Sequence, residues 1–337
     1  MNRSPFLLSI VVAAFDEEES IPLLIDTVKR ALASQSFDYE LLIVDDGSSD
    51  HTAELVQTFA EADPRIRLIQ FSRNFGQQAA ITAGLDFAQG DAAAVIDADL
   101  QDPPELLPEM VRLHLQGYEI VSAQRSQREG ETWLKRLSAR GFYGIMRRFI
   151  DKRLKPEVGD FRLYGPKALA ALRTMREQHR FLRGLAAWTG FREVILPFER
   201  RSRAAGHTKY SFWEMLRFAW TGISSFSALP LRAALVLGMV TVAGGLIYLA
   251  YSVYAAVVLK ATVQGWTSLI ALQTIFSGVT LISVGMLGEY VARIYEEGKR
   301  RPLYLVSRTV NIGELTAPMD SDSQSREPYR SSAPRSR

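Results

Sequence analysis

The stretch Ala92-Ala93-Ala94-Val95-Ile96-Asp97-Ala98-Asp99-Leu100-Gln101-Asp102-Pro103-Pro104-Glu105 decides how this chain is read. Its first five residues are small or β-branched and uninterrupted by charge, as in a strand buried on both faces. Asp97 and Asp99 then close the strand, two residues apart. Two carboxylates so placed can share a hard divalent cation, and magnesium or manganese held by one or two carboxylates keeps positions open for diphosphate oxygens. An exposed loop can also hold two aspartates with no further meaning; the position directly after an apolar strand weighs against that.

Working outward, the first half of the chain alternates strands and helices. Leu7–Ala14, Glu40–Val44 and Ile66–Phe71 read as further short strands. Ser20–Ala33 carries Ile21, Leu24, Ile25, Val28 and Leu32 at helical spacing. Thr52–Ala62 reads as a helix that Ser49 or Asp50 can cap, and Gln77–Ala88 as a third. This βαβα order implies a parallel, doubly wound sheet, in which ligands bind beyond the carboxyl ends of the strands. Acidic clusters follow three of the strands, at Asp16–Glu19, Asp45–Asp50 and Asp97–Asp102. Tyr118–Ala123 and Phe191–Pro197 read as later strands. Glu131–Phe149 reads as a basic amphipathic helix, and Arg200–Tyr210 as a polar loop whose Gly206 allows it to order around a ligand.

Up to about Phe226 the sequence reads as an ordinary soluble domain, and beyond it lie two long uncharged runs. Ser211–Ser225, with Phe212, Trp213, Phe218 and Trp220, suits a helix lying in a membrane interface. Ala233–Leu259 and Ala261–Gly288 are free of charge. Each run is long enough to cover roughly 40 Å as a helix, more than a bilayer core requires. A pair of buried core helices is the alternative, and the length of both runs argues against it. The connector holds one cation, Lys260, whereas the flanks hold Arg217, Arg232, Arg293, Lys299, Arg300, Arg301 and Arg308. The positive-inside rule then places both chain ends and the first domain in the cytoplasm. Glu289 and Arg293 read as an ordinary pair on one helix surface. The glycines of the two runs, Gly244 and Gly245 among them, would let helices approach closely, within or between subunits. The expected division is a catalytic domain over 1–210, an interfacial region over 211–230, two membrane helices over 231–292, a juxtamembrane segment over 293–312 and a Ser-, Pro- and Arg-rich tail over 313–337 without fixed structure.

Composition narrows the chemistry. The 337 residues include no cysteine, which removes disulfides, thiolate metal sites and a cysteine nucleophile. The histidines, His51, His114, His179 and His207, show no metal-ligand spacing. A net charge of +3 gives no reason to expect nucleic acid as a partner. Basic residues are nevertheless concentrated over Arg125–Arg153 and Arg200–Arg232, which suits phosphate groups or an anionic membrane surface. Phe6–Phe15 is apolar but too short to cross a bilayer and carries no cleavage pattern. Neither G-x-G-x-x-G nor G-x-x-x-x-G-K-S/T occurs, which disfavours nicotinamide and P-loop enzymes.

Taken in order, Val11-Val12-Ala13-Ala14-Phe15-Asp16-Glu17, Val44-Asp45-Asp46-Gly47-Ser48-Ser49-Asp50 and Asp97-Ala98-Asp99-Leu100-Gln101-Asp102-Pro103-Pro104-Glu105 resemble the motifs of glycosyltransferase family 2, which has the GT-A fold. With the two trailing apolar runs, the chain is similar to the subgroup of dolichol-phosphate mannose synthases and bactoprenol glucosyltransferases, over about Ser9 to Ile312. The resemblance implies that Ala13, Ala14, Phe15, Glu17, Asp45, Asp46, Gly76, Gln77 and Asp97 bind a nucleotide sugar. It implies that Asp97, Asp99 and Gln101 hold Mg2+ or Mn2+. Ala14-Phe15-Asp16 departs from the common proline-tyrosine-asparagine pattern, which weakens inference about the base. Val158-Gly159-Asp160-Phe161-Arg162-Leu163 resembles the acceptor-side motif, with Asp160 facing the anomeric carbon. Asp160, Asp99 and Arg125 are the expected catalytic residues. For Asp160 we favour orientation over base catalysis, since a phosphomonoester is already mostly ionised at neutral pH; a structural pairing with Arg162 is a close alternative. Arg125, Arg128, Ser138, Arg140, Arg162, Arg203 and Lys209 are the expected acceptor-phosphate residues, because arginine forks match phosphate geometry.

The resemblance thus implies inverting transfer of a hexose, with UDP-glucose the favoured donor, to a polyisoprenyl (undecaprenyl) phosphate in a bacterial inner membrane, and a homotetramer by analogy. A processive polysaccharide synthase is an alternative, but Gln178-His179-Arg180-Phe181-Leu182-Arg183 does not match the Gln-x-x-Arg-Trp motif of such enzymes. A non-catalytic membrane scaffold is the third reading, against which the intact Asp97, Asp99, Gln101 and Asp160 argue.

Overall fold

The structure is a computed structural model, and it describes residues 6–125, 158–198, 229–258 and 265–313. Apolar runs bounded by turn residues form the strands β1 (Leu7–Ala14), β2 (Asp38–Asp45), β3 (Ile66–Phe71) and β4 (Ala92–Asp97). Between them lie α1 (Ile21–Leu32), α2 (Thr52–Ala62) and α3 (Gln77–Phe87). A 3-10 turn at Pro104–Leu106 leads into α4 (Leu107–Leu115), followed by β5 (Ile120–Arg125). Later come β6 (Val158–Tyr164), α5 (Pro166–Thr174), α6 (Leu182–Thr189) and β7 (Glu193–Phe198), then α7 (Leu229–Val257), α8 (Trp266–Gly298) and β8 (Val306–Val310).

One eight-stranded sheet has the order β7-β5-β6-β4-β1-β2-β3-β8. The pairs β4-β1, β1-β2 and β2-β3 are parallel, as the βαβα alternation requires, and β5-β7 is parallel as well. The sheet is mostly parallel, as the GT-A resemblance implies, and two strands run against the rest. β6 runs antiparallel between β4 and β5, and β8 runs antiparallel along the outer edge of β3. The acceptor-side motif is therefore a central strand. The segment expected to be purely juxtamembrane returns to the catalytic sheet, where Val306–Val310 supplies its last strand.

Two apolar layers cover the sheet. On one face Leu24, Ile25 and Val28 of α1, Val56 of α2 and Met110 of α4 pack on Leu8, Ile10, Ile43 and Ile96. On the other, Ala80, Ile81 and Leu85 of α3, Leu169 of α5 and Leu185 of α6 pack on Val11, Val44 and Val95. Each buried Leu, Ile or Val contributes about 1.5–3 kcal/mol relative to exposure. The parallel centre of the sheet is sandwiched on both faces, so its strands read as unbroken apolar runs rather than alternating ones. α3 lies so near β1 that a Cβ at Gly84 would collide with the Val11 side chain, so this crossing requires glycine.

α7 and α8 are unlike the rest. Val236–Ala255 and Ile275–Gly298 are long and apolar enough to cross a membrane, with mean hydropathies of 1.8 and 1.5, and neither is covered by the described residues. Ile247 and Leu281 are each 72% exposed. The helices touch each other where Gly245 meets the Phe276 ring, an approach that a Cβ would obstruct. Such a contiguous apolar surface on a chain with its own complete core marks membrane association. At the end of α8, Arg293 and Glu289 form the expected i,i+4 pair at 3.0 Å. The readings of Glu131–Phe149, of the Arg200–Tyr210 loop, of the Ser211–Ser225 interfacial helix, of Lys260 and of the tail lie outside the described residues, as do the exact ends of the domains drawn through them.

Candidate active site

Register brings the site together. Ala14 pairs with Asp45 across β1 and β2, and Ala13 pairs with Asp97 across β1 and β4. Three strands therefore deliver Ala13, Ala14, Asp45 and Asp97 to one edge of the sheet, at the carboxyl ends where a doubly wound sheet binds ligands. β6 runs the other way, with Val95 opposite Arg162. Two residues further along that register, Asp160 comes level with Asp97. Alternation puts Asp97, Asp160 and Arg162 on the face covered by α3 and α6.

The loops after β1 and β2 are stitched to each other. Asp16 receives hydrogen bonds from the Ser49 N–H (2.7 Å) and hydroxyl, and its own N–H donates to Ser48 Oγ. The Glu17 N–H donates to Thr52 Oγ1, the Glu18 N–H to Asp50 Oδ2, and the His51 N–H to Glu18 Oε2. The Glu17 carboxylate accepts from Ser20, steadying the entry to α1. Asp50, read as a cap, does accept the Thr52 N–H, although His51 is the residue at the N-cap position and Ser49 turns to Asp16 instead. Glu17, expected on the nucleotide, thus has a local structural task.

Asp46 has a similar one. Its carboxylate accepts the Phe75 N–H at 2.7 Å and the Gly76 N–H at 2.9 Å, which fastens the Ser72–Gly76 segment beside the cleft. Gly47 (φ +70°) makes that docking possible, since a Cβ there would lie 2.5 Å from the Arg73 carbonyl carbon. Arg73 in turn covers the Phe75 ring at 3.9 Å. Asp45 is fully buried, accepts the Ser48 N–H through one oxygen, and leaves Oδ2 without a hydrogen-bond partner among the described residues. Burial raises the carboxyl pKa of both Asp45 and Asp46; hydrogen bonds from Ser48 and from Phe75 and Gly76 oppose the shift without cancelling it. Phe15 stands partly exposed at the rim.

The turn after β4 is built differently. Asp97 Oδ1 receives Gln77 Nε2 from the first residue of α3, at 3.2 Å, and Asp97 N–H donates to the buried Asp102. Asp99 accepts the Gln101 N–H. Between them Leu100 takes φ +58°, a left-handed conformation that costs a side-chain-bearing residue about 1–2 kcal/mol. Gln101 is 6% exposed, and its Oε1 has no hydrogen-bond partner among the described residues. A buried, unsatisfied carbonyl oxygen carries a penalty of about 1–3 kcal/mol. Beside two partly exposed carboxylates it is a hard oxygen donor of the kind magnesium and manganese prefer. Among the described residues no three His, Asp or Glu side chains converge as a metal-binding group. A cation here would accordingly take few protein ligands and complete its shell from diphosphate and water.

On β6, Asp160 is buried and receives a fork from Arg183 of α6, Nε to Oδ1 at 2.9 Å and Nη2 to Oδ2 at 2.8 Å. The expected alternative partner, Arg162, is not the one; sequence reasoning missed Arg183, which lies 23 residues away on another element. Arg162, two residues along the same strand, is buried, and its Nε has no hydrogen-bond partner among the described residues. Burial pushes the neighbouring Tyr164 phenol up to about 12, so it stays protonated near neutral pH. Arg125 is the last residue of β5. Arg128, Ser138, Arg140, Arg203 and Lys209 lie outside the described residues.

A mixed sheet with a parallel centre and a strand-end carboxylate pair opening onto an anion-compatible helix start is the GT-A class of nucleotide-sugar transferase. The chain belongs to glycosyltransferase family 2: the model of that family, "Glycosyl transferase family 2", matches residues 9–173. It is 42% identical to an uncharacterized glycosyltransferase of Bacillus subtilis (strain 168), over 90% of this chain and 94% of that one. It is 36% identical to a prophage bactoprenol glucosyl transferase homolog of Escherichia coli (strain K12), over 89% of this chain and 98% of that one. With the bactoprenol glucosyl transferase of Shigella phage SfV it shares 36% identity over 89% and 97%. Among solved structures, glucosyl-3-phosphoglycerate synthase from Mycobacterium tuberculosis with uridine diphosphate is similar at 22% identity, covering 65% of this chain and 79% of that one, with a TM-score of 0.43.

Proposed function

We propose that this glycosyltransferase moves glucose from UDP-glucose to a polyisoprenyl phosphate, undecaprenyl phosphate in a bacterial host, with inversion at the anomeric carbon. The observation that carries this reading is the extent of the likeness to bactoprenol glucosyl transferases. At 36% identity it covers 97–98% of those chains, so the apolar helices are matched along with the catalytic domain.

In this reading a phosphate oxygen of the lipid forms a bond to C1 of the sugar. The bond from C1 to the diphosphate breaks, and its electron pair leaves with the nucleotide. Asp97, Asp99 and Gln101 would hold Mg2+ or Mn2+. A cation bound there would neutralise charge on the departing diphosphate. Phe15 and the Ala13–Ala14 edge, with the Ser72–Gly76 segment fastened by Asp46, would enclose base and ribose. Asp160 would orient sugar and acceptor rather than remove a proton, because the attacking phosphate is already ionised. Arg125, Arg128, Ser138, Arg140, Arg162, Arg203 and Lys209 would gather the acceptor phosphate. The apolar α7–α8 pair would hold the cleft at the membrane surface, where a lipid headgroup can reach it. The excess of cations at the outer ends over the single Lys260 of the connector supports a cytoplasmic catalytic domain.

The test is transfer of radiolabelled sugar into organic-extractable lipid. Purified full-length protein in detergent receives undecaprenyl phosphate and, in parallel, a panel of nucleotide sugars with manganese, magnesium or EDTA. Label from UDP-glucose should enter the lipid fraction, and EDTA should abolish the transfer. Label entering a water-soluble polymer would instead indicate the processive alternative.

A further inference from the structure

We propose that Arg183 is a positioning residue for the Asp160 carboxylate, held in place by a clasp between the 175–181 segment and the end of α8. The inference rests on Asp160 facing the reacting centre, as proposed above. The Arg183 fork engages both carboxylate oxygens and so fixes the plane of the group, which a single hydrogen bond does not do. Arg183 lies in the first turn of α6, and that turn has its own anchor. The Leu182 N–H donates to Gln78 Oε1 at 3.0 Å, next along α3 from the Gln77 that reaches Asp97. The two carboxylates thus share one support, with Asp97 tied to Gln77 and Asp160 tied through α6 to Gln78.

The segment leading into α6 is gripped from the other side by the end of the second apolar helix. The Gln178 N–H donates to Glu297 Oε1 at 2.7 Å, and its side-chain amide donates to the Arg301 carbonyl at 2.5 Å. His179 Nε2 lies 2.6 Å from Glu296 Oε2. Buried Arg180 donates to the carbonyls of Leu172 and Met175 and so closes the turn onto the end of α5. Beyond α8, the Tyr304 hydroxyl and Arg176 converge on Asp86 of α3 at 2.8 and 2.6 Å, while the Tyr304 ring stacks on Phe71. The end of α8 is therefore fastened to the catalytic domain through the same short segment that carries Arg183.

Full-length protein in detergent micelles supplies the test, using Arg183→Gln, Arg183→Lys and Glu297→Ala. In transfer assays Arg183→Gln should lower kcat on the order of 100-fold, the scale of a small misplacement of a reacting group. Its donor KM should stay within about twofold, since donor binding is not what the fork supports. Arg183→Lys, which keeps the charge without the fork, should recover only part of the loss. Hydrogen exchange read by mass spectrometry gives an arm independent of turnover. Glu297→Ala should speed exchange in peptides covering 175–189 and 158–164 while leaving 7–14 unchanged, and Arg183→Gln should speed it in 158–164. Wild-type kcat in Arg183→Gln, a proportional rise in donor KM, or unchanged exchange in 158–164 in both variants would overturn the proposal. A wild-type protein that transfers nothing to lipid defeats the function proposed above, and the exchange arm then decides the positioning claim by itself.

Discussion

At the rim formed after β1 and β2, carboxylates are consumed by the protein. Asp16, Glu18 and Asp50 accept backbone N–H groups from the facing loop, and Asp46 accepts two from the Ser72–Gly76 segment. In the turn after β4 the contacts are of shorter range: Asp97 accepts from Gln77 and Asp99 from the Gln101 N–H, both stay partly exposed, and Gln101 presents a buried oxygen with no hydrogen-bond partner among the described residues. Both regions are acidic loops at strand ends and look alike in the sequence. The first uses its carboxylates to tie facing loops together; the second uses Asp97, Asp99 and Asp102 in and beside a single turn and buries a neutral amide oxygen that no described residue partners. Acidity at a strand end is therefore a sign of position, and hydrogen-bond accounting decides its use.

That contrast can be broken experimentally. The largest effect should come from Asp99→Ala, with transfer falling by about 100-fold or more, in keeping with loss of a main stabiliser of developing charge. Its melting temperature should move by only a few degrees, because the side chain is partly exposed and lies outside both apolar layers of the core. Wild-type turnover in this variant would sink the assignment of the β4 turn as the diphosphate end of the site. Gly47→Ala should do the opposite, reducing stability by about 1–3 kcal/mol and raising donor KM, because a Cβ strikes the Arg73 backbone at an already left-handed φ. Denaturant unfolding and donor titration read the two effects separately.

The wall also carries a pH signature. Asp45 and Asp46 have folded-state pKa values raised above the ordinary 3.8 by burial, so the folded protein binds protons that the unfolded chain has released. Their contribution to stability is fully present below about pH 3.8 and is lost as pH rises through the raised values. Asp63, where Arg65 and then Lys29 hold the carboxyl below its usual range, contributes in the other direction: present above 3.8 and lost as pH falls. Relative to wild type, Asp45→Asn should gain stability as pH rises above about 3.8, whereas the deficit of Asp63→Asn should be complete above that pH and shrink as pH falls below it. Parallel pH curves for both variants would refute the assignment. The smallest effect should be Glu289→Ala on α8, about 0.5 kcal/mol or less, since the Arg293 pair is a helix-surface ion pair.

Much of this protein was legible in order of sequence. The four strands of the parallel centre are continuous apolar runs because both of their faces are covered, and that pattern is local. Asp97, Asp99 and Gln101 were readable for the same reason: adjacency along the chain puts them in one turn. The two apolar helices announced themselves by length and lack of charge. Val158–Tyr164 and Val306–Val310 were not read as members of the sheet, and their direction was not foreseen, since antiparallel insertion depends on which open edge is available once the other strands have paired. Asp160 stood out in the sequence, but its Arg183 partner did not: the fork joins a central strand to a helix residue 23 positions later, and no spacing rule connects the two. The sequence by itself determined the elements, the strand-end chemistry and the apolar hairpin, because these depend on neighbours within a few residues. Only the tertiary structure decided which carboxylates are spent on N–H groups, which oxygen is left over, and that the end of α8 grips the segment carrying Arg183, because a hydrogen bond is a matter of distance in space.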